Sequence, residues 1–313
     1  MGQAVEVSAP PQLLRSLLKE LRIHQWSKNA LVIVPVVLAP GLPRLDTLVR
    51  ALLAALCVSL CASAGYVLND LIDLEADRAH PTKRMRPFAS GALPVRLGPV
   101  IFLALLGAAF GLAAWQLPPR FAWMLTIYFA GTVAYSLYFK RRLLLDVLVL
   151  AGLYTHRILT GGVATNVPIS PWLLAFSMFL FLSLSFAKRH VEVAQQTADH
   201  KIKNRDYYRA DAQMVGNLGA ASGYLAALVF SLYVENVPHL DLYREPRLLW
   251  GAVPILLYWI SRIWIVTGRG QMPDDPVKFA LRDPVSLVCG LLIAATAVLA
   301  RFTPEWLLAL LAG

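Results

Sequence analysis

Residues 69–86 read NDLIDLEADRAHPTKRMR. The stretch carries Asp70, Asp73 and Asp77, with Asn69 ahead of them. At about 100° per residue on an α-helix these four side chains fall within an arc of roughly 100°, while Glu75 points elsewhere. One helical face is therefore a surface of oxygens, and it begins where a long apolar run, residues 48–68, ends. Carboxylates this close repel and raise one another's pKa unless a cation neutralises them. Mg2+ suits all-oxygen ligands and is ordinarily held by one or two carboxylates together with substrate phosphates. Asn69, Asp70, Asp73 and Asp77 are thus candidate metal ligands. Pro81 ends any helix, and Lys83, Arg84 and Arg86 follow. An acidic face beside a basic loop suits a diphosphate and its metal. A solvated helix end with an ordinary positive loop is the plainer account, but carboxylates at a membrane boundary are costly without a function.

The composition puts this stretch at a membrane. The 313 residues are 58% hydrophobic and 15% charged, with mean hydropathy +0.58, where a soluble domain carries about a quarter charged residues. Nine apolar spans are expected, at residues 29–44, 47–69, 97–117, 121–138, 144–163, 171–187, 213–236, 248–267 and 285–303. The first is short and interrupted by Pro35 and Pro40. With the N-terminus on the cytoplasmic side, 21 of the 29 Lys and Arg residues lie on inner segments and 6 on outer ones, as the positive-inside rule requires. The net charge of +10 is then a topology and headgroup signal, and it excludes nucleic acid as the partner. An integral inner-membrane protein is expected, with its N-terminus and site loops cytoplasmic. No cleavable signal is visible at the start of the chain. Cys57, Cys61 and Cys289 lie inside apolar runs and read as small buried hydrophobes.

The pattern NDxxDxxxD over residues 69–77 resembles the first aspartate-rich motif of the UbiA superfamily of intramembrane prenyltransferases. Its continuation, DRAHPTKRMRPFASG at residues 77–91, is similar to the branch that makes decaprenylphosphoryl-phosphoribose. The resemblance implies an all-α bundle of nine transmembrane helices with a central cavity open to the cytoplasmic side. It also implies Mg2+-dependent transfer of phosphoribosyl from phosphoribosyl diphosphate (PRPP) to a polyprenyl phosphate, for cell-envelope glycan precursors. Residues 1–28 then form a tail and an interfacial helix, and residues 29–313 a single catalytic transmembrane domain. Within the first part, residues 13–23 are amphipathic, with Arg15, Lys19 and Arg22 beside Leu14, Leu17, Leu18 and Leu21, a pattern for a helix lying on the inner face. Residues 1–12 read as disordered.

Other segments extend the resemblance. HQWSKN at residues 24–29 is similar to the QWxKN segment of the branch and makes Lys28 a phosphate ligand beyond its role as an interface anchor. YSLYFKR at residues 135–141 matches the superfamily spacing of Tyr135 and Lys140, both candidate substrate contacts. In span five, Asp146 and Arg157 are about 20° apart around a helix and some 16 Å apart along it, too far to pair with each other. Ionisable groups inside a span face the bundle interior, so Arg157 is a candidate for a phosphate at depth and Asp146 for a cation or hydroxyl. Gly152, Gly161 and Gly162 allow close helix packing there. Span six ends SFAKRHVEV, and its KRxxE is similar to the phosphoribosyl branch. The resemblance implies Lys188 as a catalytic group with Asp73 and Asp77, and Arg189 and Glu192 as substrate contacts. A plain Lys188–Glu192 surface pair is the bland account.

The superfamily usually carries a second aspartate-rich motif at residues 188–211, but Glu192, Asp199, Asp206 and Asp211 are sparse. That departure disfavours the alternative reading, a UbiA-type aromatic prenyltransferase joining a polyprenyl diphosphate to a 4-hydroxybenzoate-like acceptor. A transporter is poorly supported by an odd number of spans without a visible repeat. Residues 197–211 are long enough for a lid. Arg262 in span eight lacks an obvious partner, Asp274 and Asp275 read as a turn, and residues 304–313 read as an interfacial tail. Oligomeric state, a homo-oligomer included, is left open.

Overall fold

The computed structural model describes residues 10–39, 41, 44–196, 205–236 and 243–305. The expected disordered start, the tail beyond residue 305 and most of the expected lid, residues 197–204, lie outside the described residues. The helices are α1 (Pro10–Glu20), α2 (Val34–Leu38), α3 (Leu45–Ile72), α4 (Leu74–Arg78), α5 (Leu97–Gln116), α6 (Pro119–Leu137), α7 (Leu145–Thr165), α8 (Pro171–Ala194), α9 (Ala212–Asn236), α10 (Ala252–Gly268), α11 (Pro276–Ala280) and α12 (Pro284–Arg301). Short 3₁₀ stretches precede or link several of them, and no strand occurs among the described residues. Three helix starts share one device. Ser170, Asp275 and Asp283 each accept a backbone N–H of the first turn, and each is followed by a proline, where the missing N–H of that proline costs nothing.

Eight helical segments among the described residues are long and apolar enough to cross a membrane, where nine are expected. The difference falls on the first expected span. Its described part is a 3₁₀ stretch, Ile23–Ile33, followed by the five-residue α2. Pro35 explains the break: it has no N–H to give to Leu31, and it suits the first turn of a new helix. A 3₁₀ stretch rises about 2.0 Å per residue, so residues 23–38 cover about 30 Å, comparable to the hydrocarbon thickness, without being one α-helix.

The chain divides into two compact units, one of Met1–Leu137 with His156–Pro168, the other of Tyr138–Thr155 with Ile169–Gly313. In the first, α3 carries the acidic stretch and packs on α5. Val67, Phe88 and Leu93 are buried together, with Leu13 of α1 and Leu71 against them. The loop after the acidic stretch is thereby folded back onto α3, and α1 is docked upon it. The 3₁₀ stretch is fastened to α3 by Asn29 donating to Ser59 at 2.9 Å and by Trp26 donating to Ser63 at 3.1 Å. A Cβ on Gly161 of α7 would lie 2.0 Å from the carbonyl oxygen of Val32, whereas one on Gly152 would meet nothing within 4 Å. Of the expected packing glycines, Gly161 therefore makes a close approach and Gly152 does not.

In the second unit, α8, α9 and α10 meet at Ser183, which donates to the Gly219 carbonyl at 2.7 Å and accepts the Trp264 indole N–H at 3.0 Å. Arg262 corrects its sequence reading. It pairs with both oxygens of Asp283, at 2.7 and 2.9 Å, from α10 to the cap of α12. Burial opposes the ionisation of Asp283, but the bonds from Arg262 and Ser286 outweigh it and hold this carboxyl below its ordinary range.

The glycine contact yields a prediction. Gly161→Ala is expected to cost more than about 3 kcal/mol, since backbone rather than a movable side chain blocks the new methyl. Gly152→Ala, on an open helix surface, gains up to about 1 kcal/mol from helix propensity. Thermal unfolding of both variants in detergent checks this, and equal midpoints would mean that the Val32 contact does not hold the helix.

Candidate active site

The acidic stretch sits at the end of α3, where the helix loosens at Asp73 and resumes as α4. The amide of Asp73 still bonds the Asn69 carbonyl at 2.9 Å, and that of Asp77 bonds the Asp73 carbonyl at 2.8 Å. The helical ladder is thus carried across the break, and the expected oxygen face survives it. Asp70 and Asp77 are each only 2% exposed. Asp73 is half-buried and has no side-chain partner among the described residues. Asn69 donates to Ser136 at 3.0 Å.

Two guanidinium groups hold the buried carboxylates. Arg86 Nη1 lies 3.0 Å from Asp70 Oδ1 and 2.6 Å from Asp77 Oδ2, bridging them. Arg22 Nη2 lies 2.6 Å from both oxygens of Asp70 and stacks its guanidinium over the Tyr66 ring at 4.7 Å. Arg22 departs from its reading as a headgroup-facing cation of the interfacial helix. It ends α1 in the left-handed region, with φ 49°, and that turn aims it at Asp70. Lys83 and Arg84 are exposed without side-chain partners among the described residues, so the three expected loop cations separate into one bound to the acidic face and two open to solvent. Glu20 is a residue the sequence reading missed. It is 1% exposed, and its carboxyl meets that of Asp70. Burial and the neighbouring Asp70 carboxylate push it up to about 7, against the pull of Arg22 and Arg86.

In the same unit, Arg157 donates through Nε to Asn29 at 2.9 Å and through Nη2 to the Tyr128 hydroxyl at 2.9 Å. Lys28 and Tyr135 are half-buried.

The second unit gathers a different set. Asp146, Arg189 and Tyr207 are all but fully buried. Arg189 Nη2 lies 2.6 Å from Asp146 Oδ2, and the Tyr207 hydroxyl donates to Asp146 Oδ1 at 2.8 Å while accepting the Leu144 N–H at 3.1 Å. Leu144 is itself held at φ 62°. Arg189 also pairs with Glu192 one turn on, which gives this enclosed guanidinium a second carboxylate. Arg205 donates to the Lys140 carbonyl at 2.9 Å and lies 3.7 Å from Glu192. The described end of the expected lid is therefore anchored by Arg205 and Tyr207. Lys140 and Lys188 are half-buried.

Comparison with known proteins accounts for this arrangement. Residues 30–282 match the model of the UbiA prenyltransferase family. The chain belongs to that family. It is 32% identical over 304 residues to a decaprenyl-phosphate phosphoribosyltransferase of Mycobacterium tuberculosis, covering 95% of this chain and 97% of that one. It is 39% identical over 290 residues to the uncharacterized protein y4nM of Sinorhizobium fredii, covering 92% of this chain and 56% of that one, and so spans little more than half of that relative's length. A UbiA homolog from Archaeoglobus fulgidus, solved bound to GPP and Mg2+, superposes with TM-score 0.67 at 15% identity over 91% of this chain and 99% of that one, which establishes the shared fold. The protein is accordingly an all-helical, multi-pass membrane member of the UbiA family.

For this UbiA-family chain, Glu20 and Arg22 escaped sequence reading because they stand in an amphipathic run, where a Glu among basic residues signals nothing beyond a solvated face. The buried Asp146–Arg189 pair generates a prediction. Asp146→Ala strands a fully enclosed guanidinium and is expected to cost about 3–5 kcal/mol, while the double variant Asp146→Leu/Arg189→Met recovers most of that loss. Thermal unfolding in detergent reads both, and a double variant no more stable than the single one would show that the cost lies elsewhere.

Proposed function

We propose that the protein transfers the 5-phosphoribosyl group of PRPP to a polyprenyl phosphate, releasing diphosphate, with residues 29–313 acting as one catalytic domain. The observation that carries the reading is the union of acidic face and basic loop through Arg86, which bridges Asp70 and Asp77. The similarity to a decaprenyl-phosphate phosphoribosyltransferase over nearly both full lengths supports it. So does the engagement of the carboxylates after α8. Glu192 is held by Arg189, and Asp211 accepts the Tyr208 N–H at 2.8 Å. An enzyme ionising a prenyl diphosphate would want a second acidic motif at that place. The excess of Lys and Arg at residues 78–96 and 188–209 supports a cytoplasmic face for these segments.

The donor set fits a divalent cation. Asn69, Asp70, Asp73 and Asp77 offer hard oxygen donors with no thiol or imidazole among them. Among the described residues no three carboxylates converge closely enough to hold a metal as they stand, and Arg22 and Arg86 are paired with Asp70 and Asp77. Mg2+ held there would supply positive charge to the diphosphate. In the transfer, a phosphate oxygen of the lipid bonds to C1 of the ribose as the C1–O bond to diphosphate breaks, and the electron pair leaves on the diphosphate. No strong base is required, because the lipid phosphate is already an anion. The chain's work is to position two anions against each other's repulsion. Lys83 and Arg84 bind the diphosphate or the 5-phosphate at the aqueous side. Arg157, oriented by Asn29 and Tyr128, binds the acceptor phosphate, with Lys28 and Tyr135 of the same unit as further contacts.

Purified protein given labelled PRPP, polyprenyl phosphate and Mg2+ is expected to form a phosphoribosyl lipid, and excess chelator to abolish it. Prenylated hydroxybenzoate from prenyl diphosphate, with no phosphoribosyl lipid, would replace this reading by the aromatic one. Turnover that persists in chelator would remove the metal from it.

Three variants test the roles. Asp77→Ala is expected to lower kcat by at least about 10²-fold in folded protein. Arg157→Lys, which loses the planar fork, is expected to lower the rate about tenfold or more, and Arg157→Leu further. Full rates in both Arg157 variants would leave the reaction standing and remove this residue from it.

A further inference from the structure

We infer that helix α1 is part of the transferase site, and that Arg22, at its exit, is a positioning residue for Asp70. The inference rests on the phosphoribosyl-transfer reading above and extends the site beyond residues 29–313. The contact also comes from outside residues 30–282, the part of the chain that matches the family model.

Asp70 is only 2% exposed, and a carboxylate so far withdrawn from water keeps its charge only against fixed counter-charges. Among the described residues its paired cations are Arg22 and Arg86. Arg86 is shared, since the same Nη1 meets Asp77 at 2.6 Å. Arg22 places Nη2 at 2.6 Å from both oxygens of Asp70, and the Tyr66 ring braces its guanidinium at 4.7 Å. A carboxylate held by both oxygens is restrained about its last torsion, so the face it presents is fixed. The exit of α1 is built onto α3 around this contact. Ser63 donates to the Leu21 carbonyl at 2.7 Å and accepts the Trp26 indole N–H at 3.1 Å. Ser63, Tyr66 and Asp70 fall within about 60° of one another around α3, so one helical face receives the chain at Leu21 and Arg22. Arg22 holds φ 49° there, a conformation that costs energy in any residue but glycine.

The same helix also holds the basic half of the site. Lys19 donates to the Met85 carbonyl at 3.1 Å, in the short turn that carries Lys83 and Arg84. Leu13 packs with Val67, Phe88 and Leu93. One helix thus touches the acidic face through Arg22 and the basic loop through Lys19, with Leu13 as its footing between them. Attachment of an amphipathic helix to a membrane surface requires neither polar contact.

Turnover of labelled PRPP with polyprenyl phosphate and Mg2+ by the full-length protein tests the assignment, with thermal unfolding run beside it. Arg22→Ala is expected to lower kcat about tenfold or more in protein whose unfolding transition marks it as folded. The comparison with Asp70→Asn separates positioning from packing, and the label keeps slow variants measurable. A residue that acts through Asp70 adds nothing once Asp70 is changed, so the double variant is expected to be no slower than Asp70→Asn alone. A contact that serves packing would multiply the two losses. Arg15→Ala, on the exposed side of α1, is the control and is expected to match wild type. Multiplied losses, or a wild-type rate in Arg22→Ala, overturn the role of Arg22 and leave the transfer reading intact. Wild type that forms no phosphoribosyl lipid overturns both. Should Arg22→Ala fail to fold, Arg22→Gln, which keeps a donor without the charge, is judged by the same two comparisons.

Discussion

Arg86 bridging Asp70 and Asp77 is the contact on which the first unit's polar end depends. Two carboxylates withdrawn from water one helical stretch apart cannot both stay ionised without a counter-charge, and a bare loop of positive residues would not supply one at fixed distance. Placing Arg86 there requires the chain to reverse after Pro81 and return to α3. Phe88 and Leu93, both fully buried, secure that return by filling the space beside Val67. The same loop then offers the Met85 carbonyl to Lys19, which docks α1 and brings Arg22 onto Asp70. Electrostatic need and apolar burial thus specify one loop conformation between them. Neither would do so alone, because surface ion pairs contribute little and a short apolar plug has few ways to choose its register.

The protein treats its other deep charges by the same rule. Asp146 and Arg189 are buried as a pair, with Tyr207 completing the carboxylate and Glu192 the guanidinium. Arg262 is met bidentately by the carboxylate that also caps α12, so one residue ends a helix's unpaired N–H groups and neutralises a cation in a neighbouring span. Arg157 donates to the amide oxygen of Asn29 and to the hydroxyl of Tyr128.

Chemistry follows from where the negative charges are left over. At the end of α8 and beyond it two carboxylates are engaged by structure: Glu192 by Arg189, and Asp211 in capping a short 3₁₀ turn. On the acidic stretch Arg22 and Arg86 take Asp70 and Asp77, while Asp73 has no side-chain partner among the described residues. The proposed metal-assisted departure of diphosphate would draw on that stretch.

Much of this was present in the sequence. Hydropathy marked the ends of α5, α6, α9 and α12 to within a few residues, because burial in lipid is a property of each segment by itself. The spacing of Asn69, Asp70, Asp73 and Asp77 placed them on one face, because helical periodicity is local and the backbone ladder survived the break at Asp73. The prolines at 35 and 40 flagged the first span as irregular, and the chain departs from an α-helix there. What the sequence could not specify was which charge meets which. Arg22 finds Asp70 across 48 residues, Arg189 takes both Asp146 and Glu192, Arg262 finds Asp283, and Glu20 is enclosed against Asp70. These choices are made by packing. A side chain's counter-ion depends on which groups lose water together when helices close upon one another, and that shared desolvation exists only in the tertiary structure.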